Sequence, residues 1–517
     1  MLSSSIKRYL GFLLFLTLLV IGIRTYKTYG VSWDEREQRT IGMVSYNYLT
    51  HGDNTLRHYS NNVYGVGVEL PLVLVEKVLG MNDMRSIFWM RHLLTHLLFL
   101  FGALAFFLLI DDLYKNKLLA TIGFLMLVAM PLIYTHSFYN TKDVPFLSVY
   151  IICYWLCYRA FRKNTLGAYL LLGIACGYLT NIRIMGILLI GCICLFFLTD
   201  YLLSKPNLVK RRQIRKSFWI FLGAAFLTLY ITWPFLYNNP FQNFVDAFKN
   251  MSKHGWEGVL LFNGQNIKST AIPWNYAIIW FCISTPLVFL LAGLTGIIIL
   301  AWRFVHKPLF FLTDIKARNQ SLFAIGFFQP LVSVIIFHSV IFDAWRHLYF
   351  IYPSFVLLAI YALDILFKTS LKWGYVLVML GGIAMSAGFM FSNYPYENIY
   401  FNALAGSQQQ EGLRKRWELD YWGNSFKQVL EHIAKSDTSK NIEIAVSQPS
   451  VLFNICMLDP KDSIRFKHVG YTEKAEKAAY FITGYRNHPD DYPFQGKAVY
   501  SIEVENSSIA TIFKAKR

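Results

Sequence analysis

Long apolar runs alternate with short polar segments along the first three quarters of the chain. A helix needs about 20 apolar residues to cross the hydrocarbon core of a bilayer. Runs of suitable length lie near residues 9–27, 87–110, 118–135, 144–160, 166–180, 184–203, 217–236, 277–302, 321–341, 348–367 and 373–391. This pattern predicts about eleven transmembrane helices. The fifth and sixth are the least distinct, because only a short polar turn at Asn181 separates them.

Two connecting segments and the tail are too long for simple turns. They are residues 28–86, residues 237–276 and the segment from about residue 392. Within the first of them, residues 38–50 and 63–80 are semi-apolar and predict amphipathic helices lying on the membrane surface.

The tail shows a different pattern, with short apolar or alternating runs and one helical stretch. The runs lie near residues 442–447, 478–484, 498–504 and 509–513, and the helical stretch near 424–435. Runs of this kind predict strands. We therefore expect a transmembrane domain over residues 1–391 and a small soluble α/β domain over residues 392–517.

The placement of Lys and Arg predicts the orientation. The chain carries 49 Lys and Arg against 31 Asp and Glu, a net charge of +18. The densest basic cluster, at residues 210–216, falls between the sixth and seventh spans. Because cytoplasmic loops are enriched in Lys and Arg, the N-terminus is expected inside and the C-terminal domain outside. Basic residues placed in this way form a topology signal, which argues against nucleic acid as a partner.

Composition supports a membrane location. Hydrophobic residues make up 55% of the chain and aromatic residues 17%, more than in a typical soluble protein. Six of the seven cysteines lie in apolar segments, so buried free thiols are expected rather than a disulfide framework. No small-residue cleavage motif follows the first apolar run, which predicts a retained helix rather than a signal peptide.

Two acidic sites stand where outer segments meet the membrane. Asp34 and Glu35 lie in Trp33-Asp34-Glu35-Arg36 after the first span, and Asp143 follows Lys142 at the outer end of the fourth. Such residues often cap a helix or complement its dipole. Alternatively, packing of the spans brings the two sites together, with one carboxylate as general base and the other orienting it or the substrate.

Several cations occupy the same side of the membrane. Arg346 lies in the outer turn before the tenth span, Arg183 in the short turn after Asn181, and Lys142 beside Asp143. An Arg side chain can hold a phosphate through paired hydrogen bonds. The alternative for each is a side chain that extends to the interface without binding a ligand.

Other candidates carry weaker signals. His92 and His96 are four residues apart, on one helix face, and would bind a metal only if further ligands reached them. Partners within the helix bundle are the alternative. In the second long outer segment, Trp256, Glu257, Trp274 and Tyr276 could contact a sugar or an acceptor, although an interfacial aromatic belt explains the aromatic residues equally well.

The order of these motifs resembles that of the GT-C glycosyltransferases, in particular the family of protein O-mannosyltransferases and lipid A aminoarabinose transferases. The resemblance covers most of residues 1–391. The motifs that carry it are Trp33-Asp34-Glu35, Lys142-Asp143, Gly177-Tyr178-Leu179-Thr180 before Arg183, Ile272-Pro273-Trp274 with Tyr276, and Arg346-His347-Leu348-Tyr349 with Pro353. The inserted outer repeat domain of the eukaryotic branch is missing, which is typical of a bacterial enzyme in the cytoplasmic membrane.

The resemblance implies a polyprenyl-phosphate-sugar donor and a lipid, glycan or protein acceptor. It makes Asp34 the general base of an inverting displacement, with Glu35 and Asp143 as further catalytic candidates. Arg346, Lys142 and Arg183 would bind the donor phosphate. The resemblance leaves a divalent cation open, since some relatives use one and others do not. A transporter or flippase for lipid-linked glycans, or a glycan polymerase or ligase, remains as an alternative.

Overall fold

The computed structural model describes residues 4–204, 207–252, 256–308, 315–406, 412–490, 492 and 496–515. Helices dominate the chain up to Ser392. The α-helices are Ser4–Thr25, Glu35–His51, Thr55–His58, Glu69–Val78, Met84–Tyr114, Lys117–Val128, Pro131–Tyr139, Asp143–Lys163, Leu166–Ile182, Gly186–Leu203, Leu208–Thr232, Pro240–Ser252, Tyr276–Ser284, Leu287–His306, Ile315–Ile336, Tyr352–Leu366, Lys372–Ser392, Gly412–Arg416, Phe426–Ser436, Ser450–Phe453 and Pro460–Ser463. The strands are β1 Val259–Phe262, β2 Gln265–Lys268, β3 Ile442–Val446, β4 Phe466–Gly470, β5 Tyr480–Thr483, β6 Lys497–Val504 and β7 Ser507–Lys514.

Within the described residues, eight helices are long and apolar enough to cross a membrane, and a bent pair makes a ninth. Two shorter apolar helices, Tyr9–Thr25 and Leu166–Ile182, coincide with the first and fifth spans expected from the sequence. The prediction of a helical, multi-pass membrane protein is confirmed. The count of eleven spans and their orientation stay predictions.

Two of the expected spans are not continuous helices. The run near 118–135 forms two helices, Lys117–Val128 and Pro131–Tyr139, at an angle of 65°. Pro131 stands at the start of the second helix, where it has no N–H to continue the first. The run near 277–302 is interrupted at Thr285, whose backbone is extended before Pro286, because the residue before a proline avoids the helical region.

The tail satisfies the carbonyl groups that the second break leaves free. The Asn402 side-chain amide donates to the carbonyl oxygens of Cys282 and Thr285, at 2.6 and 2.7 Å. Its backbone N–H donates to the Ile283 carbonyl at 2.8 Å. Backbone at membrane depth requires such partners, so the segment after the last span docks onto the bundle.

The long connections contain the expected helices and one unpredicted hairpin. The surface helices expected at 38–50 and 63–80 are Glu35–His51 and Glu69–Val78. Between residues 237 and 276 the chain forms helix Pro240–Ser252 and the antiparallel hairpin β1–β2. An isolated bridge from Phe262 to Trp417 connects this hairpin to the tail.

The C-terminal domain is built on a five-stranded mixed sheet in the order β4-β3-β5-β7-β6. β3 runs parallel to both β4 and β5, whereas β5, β7 and β6 pair antiparallel. The predicted α/β tail is confirmed, although β4 was missed because its residues are at most half-buried and carry little apolar signal. Helix Phe426–Ser436 buries Phe426, Val429, Leu430 and Ile433 on one face.

Candidate active site

A cavity of about 640 Å³ opens between one end of the helix bundle and the C-terminal domain. Residues distant in the sequence line it together, including Asp34, Lys142, Arg183, Arg346 and Arg486. Four of these five were candidates from the sequence. The structure therefore brings Asp34 and the three predicted basic residues to a single cavity.

Asp34 occupies the N-cap position of helix Glu35–His51, but its side chain makes no capping hydrogen bond. Instead its Oδ2 lies 3.3 Å from Nη1 of Arg346, and about a third of the side chain is exposed. The turn before it is fixed by a hydrogen bond from the Trp33 N–H to the Trp422 carbonyl, at 3.1 Å. Asp34 is thus held at the cavity surface with its carboxylate accessible.

Glu35, the neighbouring carboxylate, lies outside the cavity lining. Its Oε2 accepts the backbone N–H of Ser32 at 2.7 Å, and its Oε1 lies 2.9 Å from His92 Nε2. The residue is 1% exposed. Successive residues at a helix start face different directions, so Asp34 borders the cavity while Glu35 is buried beneath it.

The turn that carries Arg346 has an uncommon backbone. Asp343 and Ala344 both have positive φ, 56° and 60°, a conformation that costs roughly 1–2 kcal/mol per residue with a side chain. The indole of Trp345 anchors the turn by donating to Ser284 Oγ at 2.7 Å. This geometry directs Asp343 back onto Arg346, with Oδ2 and Nη2 3.3 Å apart.

Asp143 joins two of the cationic candidates beneath the cavity. It forms an ion pair with Arg183 and lies 3.3 Å from Arg346 Nη1 through its Oδ2. The Asn140 side-chain amide donates to the same oxygen at 2.9 Å. With 3% exposure, Asp143 does not line the cavity and acts as a fixed counter-charge for the two guanidinium groups.

Lys142 borders the cavity beside this pair. Its ammonium group lies over the Tyr64 ring, 3.5 Å from the centroid. Burial, and next the positive charge of Arg183, lowers the pKa of Lys142 well below its usual value. Removal from water disfavours the charged form of the amine, and an anion bound beside it would favour that form.

The tail contributes Trp422 to the site, a residue that was not among the candidates from the sequence. Trp422 stacks on His136 at 4.9 Å and an angle of 10°. Its ring also lies 4.9 Å from the Arg346 guanidinium, and its Nε1 donates to Asp343 Oδ2 at 3.1 Å. Residues 417–423 carry three aromatic side chains and two carboxylates, but nothing local to them predicts that they pack behind Arg346.

Arg486 and its neighbours were also missed. Arg486 Nη2 donates to Asp343 Oδ1 at 2.7 Å and Nη1 to the Tyr421 carbonyl at 2.5 Å. Asn487, Ser447 and Gln448 line the cavity on the same side. These residues follow short strands, and no motif in the sequence distinguishes them.

The remaining candidates separate into those near the cavity and those away from it. Trp256 lines it and packs against Phe342, with ring centroids 4.4 Å apart. Glu257 and Trp274 are exposed outside the lining, the latter by 68%. Tyr276 is buried against Phe262, at 4.9 Å between centroids, and also lies outside the lining.

The two histidines proposed as metal ligands are engaged in the bundle. His92 contacts Glu35, and His96 stacks on Phe138 with centroids 4.0 Å apart. Among the residues that the structure describes, no group of three or more His, Cys, Asp or Glu side chains is placed to hold a metal ion. All seven cysteines are free thiols.

One side of the cavity is apolar. Its lining there includes residues from helices Gly186–Leu203 and Ile315–Ile336 and from the amphipathic helix Pro240–Ser252. They are Ile187, Leu188, Phe248, Met251 and Val334, and Phe337, just after the end of helix Ile315–Ile336, adds to the same lining. A charged side and an apolar side in one cavity suit an amphipathic ligand.

Residues 73–237 match the family described as dolichyl-phosphate-mannose-protein mannosyltransferase. This segment includes Lys142, Asp143 and Arg183 but neither Asp34 nor Arg346. Over the residues it covers, the match confirms the resemblance to the GT-C glycosyltransferases. Comparison with curated proteins gives no match.

Solved structures with a similar course of the chain include ArnT from Cupriavidus metallidurans bound to undecaprenyl phosphate, with 13% identity, a TM-score of 0.46 and 97% of each chain covered. The same protein in the apo state gives 12% identity, a TM-score of 0.48 and the same coverage. The oligosaccharyltransferase from Archaeoglobus fulgidus in the apo form gives 10% identity and 0.47, covering 92% of this chain and 66% of that one. At these values the similarities assign no role to any residue.

Proposed function

We propose that this protein is a membrane glycosyltransferase that moves a sugar from a polyprenyl-phosphate carrier to an acceptor hydroxyl. One observation carries the proposal: Asp34 and Arg346 meet at the surface of a cavity that Lys142 and Arg183 also border. A carboxylate beside three cations suits a reaction that removes a proton and releases a phosphate. The family match over residues 73–237 supports the same reaction class.

In the proposed reaction the acceptor oxygen attacks the anomeric carbon while Asp34 takes its proton. The bond from that carbon to the phosphate oxygen breaks, and its electron pair leaves with the polyprenyl phosphate. A single displacement of this kind inverts the configuration. Positive groups fixed near the leaving phosphate stabilise the charge that develops on it, a role that Arg346, Lys142 and Arg183 would share.

Arg346 connects the group that removes the proton, Asp34, with the groups that would bind the leaving phosphate. Its Nη1 lies 3.3 Å from both Asp34 Oδ2 and Asp143 Oδ2. A phosphate bound to the guanidinium would compete with Asp34 for the same donor, and Asp34 would then be free to accept a proton. Asp143, which is buried, would keep Arg346 in place throughout. The apolar side of the cavity would hold the polyprenyl chain.

The direct test is a transfer assay with the full chain in membranes and a panel of polyprenyl-phosphate-linked sugars. We expect release of polyprenyl phosphate from wild type and a loss of about 10²–10⁴-fold in Asp34→Asn, the usual contribution of a general base. Asp246→Asn, at an exposed position on helix Pro240–Ser252 outside the cavity lining, is the matched control and should retain full activity. A parallel series with a chelator tests the need for a divalent cation.

Two results would contradict the proposal in different ways. Release that is unchanged in Asp34→Asn would move the base elsewhere, and Asp143→Asn would be measured next. No release from wild type with any donor would remove the transferase assignment and leave lipid-linked glycan flipping, or transfer of a whole glycan, to be assayed.

A further inference from the structure

The C-terminal domain contributes a side of the cavity that the proposed function has not used. Strands β3 and β5 are parallel neighbours, and both end at this side. Ser447 and Gln448 follow β3, whereas Arg486 and Asn487 follow β5, and all four line the cavity.

The position of these loops in the sheet is one at which ligands commonly bind. After β3 the chain adds β4 on one side of it, and then β5 on the other. The strand order therefore reverses at β3, and the crevice between the carboxyl ends of β3 and β5 is a topological switch point. Ligands of open α/β sheets bind in crevices of this kind.

The two loops are held firmly. The Ser447 N–H continues the ladder by donating to the Ile482 carbonyl at 2.9 Å. The turn after β5 closes with a hydrogen bond from the His488 N–H to the Tyr485 carbonyl at 3.0 Å. Tyr485 OH donates to Thr511 Oγ1 at 2.7 Å. Arg486 and Asn487 are thus the two central residues of an anchored turn.

Two side-chain atoms of these loops are unsatisfied within the described part of the chain. Ser447 Oγ and Gln448 Nε2 are buried and have no hydrogen-bond partner among the described residues. Gln448 is 6% exposed. Buried polar atoms are nearly always paired with protein or water, so both atoms are expected to have a partner that the described residues do not supply.

The charge on this side is balanced. Arg486 is paired with Asp343 at 2.7 Å, and the other groups that the loops present are amides and a hydroxyl. Amides and hydroxyls both donate and accept hydrogen bonds, which matches a polyhydroxylated group better than an anion. The Trp33 ring, 5.7 Å from the Arg486 guanidinium, adds an apolar face to the same part of the cavity.

We propose that the loops after β3 and β5 form a saccharide-binding subsite in which Ser447, Gln448 and Asn487 hydrogen-bond to sugar hydroxyls. This inference rests on the proposed function, which requires a sugar in the cavity. The saccharide is carried either by the donor or by the acceptor, and kinetics separates the two. The C-terminal domain then acts in substrate recognition as well as docking.

The test uses Gln448→Ala and Asn487→Gly in the full chain. Asn487 has φ 60°, so glycine removes its amide without straining the turn. The matched control is Asn506→Gly in the β6–β7 turn, where the asparagine is also exposed and has φ 58°. Melting temperatures identify any variant that fails to fold.

Each of the two variants should lower kcat/KM by about threefold to tenfold, the effect of losing one hydrogen bond, while Asn506→Gly matches wild type. A rise in the KM for the donor assigns the subsite to the donor sugar. A rise in the KM for the acceptor, with the donor KM unchanged, assigns it to an acceptor saccharide. Unchanged KM values for both substrates in both variants would overturn the subsite.

Measuring the binding of free monosaccharides tests the subsite independently of turnover. Saturation-transfer NMR with a panel of free monosaccharides should show contact with wild type and with Asp34→Asn, and weaker contact with Gln448→Ala and Asn487→Gly. If wild type gives no transfer reaction but does show this contact, the proposed function fails and the subsite stands. No contact with any monosaccharide from an inactive wild type would overturn the subsite and leave water as the partner of Gln448.

Discussion

The bundle side and the C-terminal side of the cavity differ in charge and in how their residues are held. On the bundle side, Asp34, Lys142, Arg183 and Arg346 are ionisable and lie where helices begin or end. On the C-terminal side, the loops after β3 and β5 present amides, a hydroxyl and Arg486, whose charge is paired with Asp343. Charged groups are costly inside a bilayer, so a membrane domain places them at helix ends, where they can meet an anionic ligand.

The two sides meet at Asp343. Its Oδ1 accepts from Arg486 at 2.7 Å, and its Oδ2 lies 3.3 Å from Arg346 Nη2. One carboxylate therefore fixes a guanidinium group on each side. The comparison suggests a division of roles, with phosphate and proton handled by the bundle and hydroxyl groups by the C-terminal domain.

Arg346→Ala is expected to have the largest effect on transfer. We expect transfer to fall by at least about 100-fold, the effect of removing one group that stabilises developing charge. Stability should also fall, but by less than the roughly 3–5 kcal/mol that an unpaired buried charge costs, since Asp143 and Asp343 keep Arg183 and Arg486 as partners. Steady-state kinetics and chemical denaturation measure the two effects. Arg162→Ala, at a half-exposed arginine outside the cavity lining, is the control.

If Arg346→Ala reduced transfer no more than Gln448→Ala does, the assignment of phosphate to the charged side would be wrong. Arg346→Lys refines the test, because lysine keeps the charge but cannot form the paired hydrogen bonds of a guanidinium. We expect it to recover stability more than activity.

The next largest effect is expected from Lys142→Arg, which should change the pH dependence of donor binding. Burial lowers the pKa of the Lys142 amine, so the positive charge is lost as the pH rises and the KM for the donor should increase by about tenfold once the amine is neutral. Lys142→Arg keeps its charge at every pH and should flatten this increase. The KM measured from pH 6 to pH 9 tests this. The same pH profile in both proteins would exclude Lys142 from the phosphate site.

Glu397 lies where the segment after the last span contacts the helix bundle. Its substitution should have the smallest effect on activity. Its carboxylate accepts from Tyr29 OH at 3.2 Å and Thr135 Oγ1 at 3.0 Å, and burial raises its pKa to about 7. The folded state thus holds this proton more tightly than the unfolded chain does. Its contribution to stability is complete below about pH 4.5 and is lost as the pH rises through 7.

Wild type should therefore lose up to about 3 kcal/mol of stability between pH 4.5 and pH 8 through this group. Glu397→Gln should remove that part of the decline and leave kcat/KM within about twofold of wild type. Melting curves at pH 5 and pH 8 measure the change. An equally steep decline in the variant would show that other groups cause it.

Local patterns in the sequence predicted the class of the protein and the charged part of the candidate site. Transmembrane helices and strands are signalled by local apolar patterns, and ionisable residues at span ends stand out because few charges lie nearby. Asp34, Lys142, Arg183 and Arg346 could be identified in this way, and all four line the cavity. Pro131 and Pro286 are local signals for the two helix breaks. Both lie within apolar runs that are long enough to predict continuous spans.

Which of these residues meet, and which neighbours in the sequence do not, depends on how distant segments pack. Asp34 and Glu35 are adjacent, yet one borders the cavity and the other is buried against His92. Gln448 and Asn487 join Asp34 although more than 400 residues separate them in the chain. Hydrophobic pattern is a property of one segment, whereas a cavity forms where distant segments pack, and no local pattern records which loop of a docked domain will face it.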